Sequence, residues 1–226
     1  MTNVFIISAP SGSGKSTLVN KIRESILKLE FSISYTTRKP RGREQNGREY
    51  FFISREQFEK MIRDDQFLEY ATVFESDYYG TARCFLQNAE EHGCDLLLDI
   101  DVQGAAQIKR KIPDAVSIFI LPPNRFELEK RLRERGQDSE EKIQKRLDEA
   151  SREIENYGKY DYILVNDKLD ASVRALEAIL LSERLRREGS PDAALIATAQ
   201  QYRLENVRQR LQPILQSFGK TAAGVK

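Results

Sequence analysis

Residues 3–22 read NVFIISAPSGSGKSTLVNKI, and this stretch decides the fold. The run NVFIIS at 3–8 is apolar in its centre, which is typical of a central strand covered on both faces. APSGSGKST follows immediately at 9–17. From Lys15 onward, apolar residues recur at intervals of three and four as far as Leu29, as along one stripe of a helix. The stretch therefore predicts a strand, a glycine-rich turn and a helix in succession.

The glycine-rich turn matches the phosphate-binding motif G-x-x-x-x-G-K-[ST] at Gly14, Lys15 and Ser16, with Ala9 in place of the first glycine. Glycines let backbone N–H groups converge on a polyphosphate, and the N-terminus of the following helix favours its charge. A surface turn with a chance lysine is the alternative, but the strand before the motif and the helix after it favour a nucleoside triphosphate site. The residues predicted to bind the triphosphate are Ser11, Gly12, Ser13, Gly14, Lys15, Ser16 and Thr17.

The composition excludes several classes of protein. Of 226 residues, 40% are hydrophobic and 31% charged, which is enough for a core and unlike a disordered chain. The 36 Lys and Arg balance 35 Asp and Glu, so no net field attracts nucleic acid or an acidic membrane. Cys84 and Cys94 lack a C-x-x-C spacing and indicate reduced thiols. Because no apolar run approaches 18 residues, we expect a cytoplasmic protein without membrane or nucleic-acid partners, as a monomer or small homo-oligomer.

Strand-like runs alternate with helical patterns along the chain, which predicts an α/β fold with a parallel sheet and flanking helices. Further strands are expected at 94–100, 116–121 and 160–165. Two segments break the alternation. Residues 32–81 mix short strand-like runs with one helix, which Ser54 opens with Gln57 three residues later, a capping-box spacing. Residues 124–157 are nearly all helical and charged.

Acidic residues follow the buried run of leucines at 96–98. Asp99 comes directly after this run, where phosphate-loop proteins carry a second Mg²⁺-directed acid. Asp101 lies two positions further and would project to the same side if the strand continues. The alternative is an ordinary turn at the end of a strand. We expect Ser16 and Asp99 to hold Mg²⁺, directly or through water.

A phosphate loop alone leaves GTPases, ATPases and many kinases open. Four further stretches narrow the choice: SISYTTRKPRGREQNGREY at 32–50, FLEYA at 67–71, YYGT at 78–81 and LLLDIDVQG at 96–104. With APSGSGKST, these stretches closely resemble the guanylate kinase family, whose members transfer a phosphoryl group from ATP to GMP. The resemblance extends from residue 3 to about 187, and several motifs in one order make it specific.

The resemblance implies a phosphate-loop core, a small mixed GMP-binding insertion and a helical lid. The expected boundaries are core at 1–33, 83–124 and 159–188, insertion at 34–82, lid at 125–158 and a tail of unknown role at 189–226. The two segments that break the alternation coincide with the insertion and the lid. In the tail, a helix is expected between Pro191 and Pro213.

The resemblance also implies roles for individual residues. Those expected around the guanine are Ser34, Glu69, Thr81 and Asp101. Those expected on the GMP phosphate are Arg38, Arg41, Tyr50 and Tyr79. The lid arginines are Arg131, Arg135 and Arg146, which with Lys15 and Arg41 would stabilise the charge of the moving phosphoryl group, and Asn166 is the expected adenine-side contact. Thr81 stands where serine is also familiar in the family, and a hydroxyl is present either way.

Chemistry supports the two central assignments. Guanine presents N1–H and a 2-amino group as adjacent donors, which one carboxylate can accept, whereas adenine presents an acceptor at N1. Glu69 suits that task, and the wrong base would leave it buried and unpaired, at a discrimination of roughly 10⁴-fold. A surface carboxylate is the alternative for Glu69. Arg38 and Arg41, beside Pro40, can fork onto a phosphate, with a solvated basic loop as the alternative.

The expected reaction is Mg²⁺-dependent transfer of the ATP γ-phosphoryl group to GMP, and to dGMP, in purine nucleotide recycling. One rival is a guanylate-kinase-like module that binds proteins, in which the phosphate loop is expected to be degraded. A second is a phosphate-loop kinase for another phosphorylated acceptor, which would not need Ser34, Glu69 and Asp101 together. A nucleotide-triggered switch protein is disfavoured because the sequence lacks NKxD. His92, the single histidine, is assigned no catalytic role.

Overall fold

A computed structural model describes residues 2–73, 77–134 and 139–219. Within these ranges the backbone forms nine strands, nine α-helices and a 3₁₀ turn at Tyr157–Lys159. The strands are β1 (Val4–Ser8), β2 (Leu29–Phe31), β3 (Tyr35–Thr36), β4 (Phe51–Phe52), β5 (Phe67–Val73), β6 (Asp77–Ala82), β7 (Asp95–Asp99), β8 (Val116–Leu121) and β9 (Tyr162–Val165). The helices are α1 (Lys15–Ser25), α2 (Arg55–Arg63), α3 (Cys84–Glu91), α4 (Val102–Lys111), α5 (Arg125–Glu134), α6 (Glu140–Ile154), α7 (Leu169–Arg187), α8 (Ala193–Gln200) and α9 (Leu204–Ser217). Of these described helices, none combines the length and apolar character needed to span a membrane.

The larger sheet has five strands in the order β2-β7-β1-β8-β9. β2 runs parallel to β7, and β8 runs parallel to β9. Every residue of β1 and β8 is buried, because both are largely apolar runs of the kind that a parallel sheet covered on both faces requires. The predicted α/β class with a parallel sheet is therefore confirmed, and β1 lies at its centre.

The chain divides into two compact units. The first contains Met1–Ile6 and Leu27–Ala115, and the second contains Ile7–Ile26 and Val116–Lys226. The first unit includes β2, β7 and a second, smaller sheet. The second unit includes the glycine-rich loop, α1, β8, β9 and the helices from α5 onward. In it, α7 packs against both α1 and α8, and α5 packs against α6.

The smaller sheet belongs wholly to the first unit and has the order β4-β3-β6-β5. β3 is parallel to β4 and antiparallel to β6, which is in turn antiparallel to β5. Helix α2 begins with a capping box in which the side chains of Ser54 and Gln57 bond to each other's backbone N–H, as the sequence spacing indicates. Its buried Phe58 ring stacks on Phe67 at 4.4 Å and on Tyr78 at 5.0 Å. These aromatic contacts hold α2 on the small sheet.

The first helix ends earlier than its apolar stripe predicts. α1 ends at Ser25, because Ile26 has an extended backbone and Lys28 adopts the left-handed conformation at φ 54°. Leu29 then begins β2, where it pairs with Asp95 of β7. The prediction that the helix continues to Leu29 was wrong, because strand pairing with a distant segment outweighs a local spacing of three and four.

The segment after residue 189 contains two helices, α8 and α9. The side chain of Asp192 caps α8 by accepting two backbone N–H groups. α9 runs through Pro213, so the expectation that a helix ends before this proline was wrong. The neighbouring Leu211 and Leu215 are buried, and their packing offsets the backbone hydrogen bond that a proline cannot make.

Candidate nucleotide-binding site

The loop between β1 and α1 has the backbone of a phosphate cradle. Gly12 and Gly14 have φ values of 97° and 86°, a region that side chains with a Cβ rarely adopt. Lys15 and Ser16 are the first two residues of α1, whose N-terminal N–H groups and dipole favour an anion. The structure thus gives the predicted phosphate-binding sequence the predicted backbone.

The side chains of the loop differ in exposure. Ser11, Ser16 and Thr17 are exposed, and Lys15 is half-buried. Ser13 is buried, and its Oγ has no hydrogen-bond partner among the described residues. An unpaired buried hydroxyl costs free energy. A phosphate oxygen in the cradle is one acceptor that could satisfy it.

Asn166, at the end of β9, holds the loop in this shape. Its Nδ2 donates to the carbonyl oxygen of Ser13 at 2.8 Å, and the residue is buried. A Cβ at Gly14 would clash with the same Nδ2, so the loop needs glycine there for close approach as well as for φ. The structure therefore places Asn166 on the phosphate loop, and its predicted contact with adenine remains a prediction.

Two of the three predicted lid arginines lie in described parts of the second unit. Arg131 of α5 donates through Nη2 to the carbonyl oxygen of Asn166 at 3.1 Å, so it contacts the residue that holds the loop. Arg146 of α6 is half-buried. Burial raises the pKa of Glu149, and the positive charge of Arg146 partly counteracts this rise. Arg135 lies outside the described residues.

In the first unit, the smaller sheet brings together three of the residues predicted for guanine. Glu69 of β5 pairs with Thr81 of β6, and Tyr35 of β3 pairs with Gly80 of β6. Continuing the β3–β6 register by one residue puts Ser34 beside Thr81. Residues in one row of an antiparallel sheet share a face. Glu69 and Thr81 therefore form a polar row across two strands, and by this register Ser34, just before β3, lies in line with the row.

Glu69 is the ionisable residue of this row. Its side chain is only 3% exposed, and burial raises its pKa to about 7. The negative charge of Asp101 raises the pKa further, while Lys111 and Thr81 lower it. The buried Thr81 hydroxyl nevertheless makes no hydrogen bond of full geometry with any described residue. This row thus holds a desolvated carboxylate next to a buried hydroxyl.

Asp101 and Gly104 bring α4 against Glu69. Strand β7 ends at Asp99, which is half-buried, and Asp101 is the N-cap of α4, accepting the Gly104 N–H at 2.8 Å. The strand therefore stops before Asp101, and the condition under which Asp101 would project to the same side as Asp99 is not met. A Cβ built on Gly104 would stand 2.6 Å from Glu69 Oε2 and 3.4 Å from Asp101 Oδ1. Sequence reasoning missed Gly104, because its role comes from a contact with Glu69 that only the folded chain makes.

The residues predicted for the GMP phosphate form a second cluster in the same unit. Arg38, which is 8% exposed, donates through Nε to the Tyr79 hydroxyl at 3.0 Å. Its guanidinium carbon lies 5.3 Å from the centre of the Tyr50 ring, and this ring meets Tyr79 edge to face at 5.7 Å. One guanidinium and two tyrosines are thus brought together as predicted.

Glu44 is a member of this cluster that sequence reasoning missed. It accepts two hydrogen bonds from Arg38, at 2.9 and 3.0 Å, and one from the Arg41 backbone N–H at 2.7 Å. Burial alone would raise the pKa of Glu44, but these donors hold it below its ordinary range. Burial alone would lower the pKa of Arg38. Its interactions with Glu44 and Tyr79 outweigh the effect of burial and raise this pKa. Glu44 therefore orients Arg38, while the Arg41 side chain is exposed.

The parallel sheet and the phosphate loop define the class, which is a phosphate-loop nucleotide-binding protein of the α/β type. Comparisons with known proteins narrow this class to one family. The profile of the family described as Guanylate kinase matches residues 1–183. A guanylate kinase of Koribacter versatilis is 55% identical over 222 residues, which cover 95% of each chain. One from Escherichia coli is 48% identical over 185 residues, covering 81% of this chain and 89% of the relative.

A solved structure agrees with these relatives. The crystal structure of guanylate kinase from Anaplasma phagocytophilum superposes with a TM-score of 0.67 at 32% identity, covering 81% of this chain and 87% of that one. The chain belongs to the guanylate kinase family, and its enzyme class is ATP:GMP phosphotransferase.

Proposed function

We propose that the phosphate loop of this chain holds ATP, that the polar row of the small sheet holds GMP, and that the γ-phosphoryl group passes between them. The observation that supports this most strongly is the buried carboxylate of Glu69, in one row with Thr81 and Ser34. A desolvated carboxylate is expensive unless a ligand pairs with it. The two adjacent N–H donors of guanine are such a ligand.

The specificity of the row follows from its hydrogen-bonding capacity. The Glu69 carboxylate would accept from guanine N1–H and from the 2-amino group. The hydroxyls of Thr81 and Ser34 would donate to O6, and Thr81 Oγ1 is buried without a hydrogen-bond partner of full geometry. Adenine presents an acceptor where Glu69 needs a donor. The row should therefore reject AMP by a large factor, since buried polar groups would stay unpaired.

The phosphate of GMP would bind at the cluster of Arg38, Tyr50 and Tyr79. Glu44 already neutralises much of the Arg38 charge, so a phosphate dianion also needs the exposed cation of Arg41. The tyrosine hydroxyls can donate to the same phosphate. In this arrangement Arg38 fixes the position of the phosphate and Arg41 supplies charge.

On the donor side, Lys15 would contact the β- and γ-phosphates, with backbone N–H groups of the loop around them. Ser16 and Asp99 offer a hydroxyl and a carboxylate oxygen, the hard donors that Mg²⁺ prefers, and so fit this ion. When bound, Mg²⁺ would neutralise charge on the β- and γ-phosphates. Arg131 and Arg146 would add positive charge from α5 and α6, and Arg135 is included in this proposal from its sequence position.

The chemistry is an in-line displacement. A phosphate oxygen of GMP forms a bond to the γ-phosphorus, and the bond from that phosphorus to the β–γ bridging oxygen breaks, so that ADP leaves with the electron pair. GDP is the other product. Because the attacking oxygen already carries negative charge, no general base is required, and positioning with charge stabilisation is what the protein must supply. The assigned contacts are to base and phosphate, so we include dGMP as a substrate.

A coupled assay that detects ADP tests the proposal. The chain is given Mg-ATP with GMP, dGMP, AMP, CMP or UMP in separate reactions. We expect turnover with GMP and dGMP, and kcat/KM for AMP lower by roughly 10⁴-fold. Equal turnover of AMP and GMP, or turnover of none of the five, would contradict the assignment.

A further inference from the structure

The segment after residue 189 lies beyond the part of the chain that the family profile matches, which ends at residue 183. It is nevertheless packed closely against other parts of the second unit, to which it belongs. Arg203 donates to Glu183 at 2.6 Å, and its guanidinium carbon lies 4.2 Å from the centre of the Tyr162 ring. The Tyr162 hydroxyl donates to the same carboxylate at 2.5 Å. Glu183 is buried, and Arg186 of the same helix also donates to it at 2.6 Å, so this segment adds a second cation to a buried charge.

Helix α9 continues from this ion pair along an apolar face. Its buried side chains are those of Val207, Leu211 and Leu215, and Phe218 follows immediately after the helix. The helix packs against β9 and α5. Its last turn is therefore fixed in position near the beginning of α5.

Ser217, the last residue of α9, makes a hydrogen bond to the N-terminus of α5. Its Oγ accepts the backbone N–H of Arg125 at 3.0 Å and donates to the carbonyl oxygen of Ile214 at 2.6 Å. The bond to Ile214 takes the only hydroxyl proton, so a lone pair faces Arg125. Asn124 accepts the Glu127 N–H at 2.8 Å. The first N–H groups of a helix have no partner inside it, and here two different segments supply acceptors.

α5 in turn contacts the phosphate loop. A Cβ at Gly12 would stand 2.8 Å from Leu128 Cδ1 and 3.0 Å from Leu132 Cδ2, so these leucines pack directly on the loop. On the same helix, Arg131 donates to the carbonyl oxygen of Asn166, whose amide holds the loop. A continuous path of contacts therefore runs from Ser217 through α5 to the loop.

From this path we infer that Ser217 is a positioning residue for the ATP site, acting through the first turn of α5 on the leucines and the arginine that pack around the phosphate loop. The inference rests on the proposed function for the identity of the ligand. α5 has ten residues, a length at which a helix depends on its caps and its packing. When its first turn frays, fewer molecules carry the ordered loop, and the apparent affinity for the nucleotide falls in proportion.

The test compares Ser217→Ala with Ser217→Thr and Ser182→Ala in the full chain. Ser217→Thr keeps the hydroxyl. Ser182, on α7, donates to the carbonyl oxygen three residues earlier, as Ser217 does on α9. Ser182→Ala therefore controls for the loss of this bond within a helix. The readouts are amide hydrogen exchange of α5, calorimetric affinity for Mg-ADP, and the KM for ATP and for GMP. Thermal melting checks the fold of each variant.

We expect Ser217→Ala to exchange faster in α5 and to weaken Mg-ADP binding and raise the KM for ATP about threefold to fivefold, the effect of a lost helix cap. The KM for GMP should stay within a factor of two, and the other two variants should behave as the unaltered chain. Unchanged exchange in α5, unchanged nucleotide affinity, or an equal rise in both KM values would overturn the inference. Mg-ADP binding is measured without GMP, so the result stands even if the unaltered chain fails to phosphorylate GMP.

Discussion

The carboxylate of Glu69 and the backbone of Gly104 are in such close contact that a single added Cβ on Gly104 would stand 2.6 Å from Glu69 Oε2. The two residues lie on different elements, β5 and α4, which pack against each other within the first unit. The same glycine donates its N–H to Asp101. The absence of a Cβ at Gly104 therefore leaves room for the Glu69 carboxylate beside the first turn of α4.

Gly104→Ala should displace the Glu69 carboxylate and raise the KM for GMP by about tenfold. The free energy of unfolding should change little, because alanine is the better helix former and the displaced atom is the end of a side chain. Steady-state kinetics with GMP and ATP varied separately measure the effect. Gln103→Ala, on the exposed neighbouring position, is the control. An unchanged KM for GMP in Gly104→Ala would show that the close contact has no role in binding.

The binding of guanine should depend on pH around neutrality. Burial raises the pKa of Glu69 to about 7, and only the ionised carboxylate can accept both guanine donors. We expect guanosine, which lacks a titrating phosphate, to bind about tenfold more weakly at pH 6 than at pH 8. Calorimetry at several pH values measures this. The same affinity at both pH values would contradict an ionised Glu69 in the complex.

The stability of the protein should respond to Glu69 in the opposite direction. Since the fold raises this pKa above its ordinary value of 4.5, the protonated form is favoured in the folded state. Its contribution to the unfolding free energy is full below pH 4.5 and is lost as the pH rises through 7. Denaturant unfolding of the unaltered chain and of Glu69→Gln, compared over this range, should differ in slope. Parallel curves would mean that Glu69 does not titrate there.

Lys15→Ala should abolish turnover while GMP still binds. The variant removes the cation at the terminal phosphates of ATP, whereas the residues assigned to GMP lie in the other unit of the chain. Single-turnover kinetics and GMP calorimetry on the same sample separate the two effects. Lys21→Ala, an exposed position on α1, is the control. Normal turnover in Lys15→Ala would refute its role.

Arg38→Lys should raise the KM for GMP by about tenfold and leave the KM for ATP unchanged. Lysine keeps the positive charge but loses the planar guanidinium, whose two Nη atoms donate to Glu44 and whose Nε donates to Tyr79. The exposed Arg43, changed to lysine, is the matched control. If Arg38→Lys and Arg43→Lys have the same KM for GMP, geometry at Arg38 is not what binds the phosphate.

The elements that the sequence predicted well are those with local causes. The strand, loop and first turn of α1 follow from consecutive residues, as does the capping box at Ser54. The end of α1 depends on strand pairing with a segment far along the chain, and the local pattern predicted it wrongly. The helix through Pro213 was missed for the same reason, since its packing partners lie on other elements.

The site shows the same limit. Arg38, Tyr50 and Tyr79 were identified through the family resemblance, and the structure brings them together. Glu44 and Gly104 were missed because their importance comes from contacts that only the folded chain makes. A carboxylate in a basic loop and a glycine in a helix carry no such information by themselves.

The most direct test of the account is the preference for GMP over AMP in Glu69→Gln, measured as the ratio of kcat/KM values beside the unaltered chain. Glutamine keeps the shape of the side chain but replaces one acceptor with a donor, so the ratio should fall by about 10²-fold or more, mainly through a loss of GMP activity. Glu90→Gln, an exposed carboxylate on α3, should leave the ratio unchanged. A ratio in Glu69→Gln equal to that of the unaltered chain would show that this carboxylate does not recognise the base.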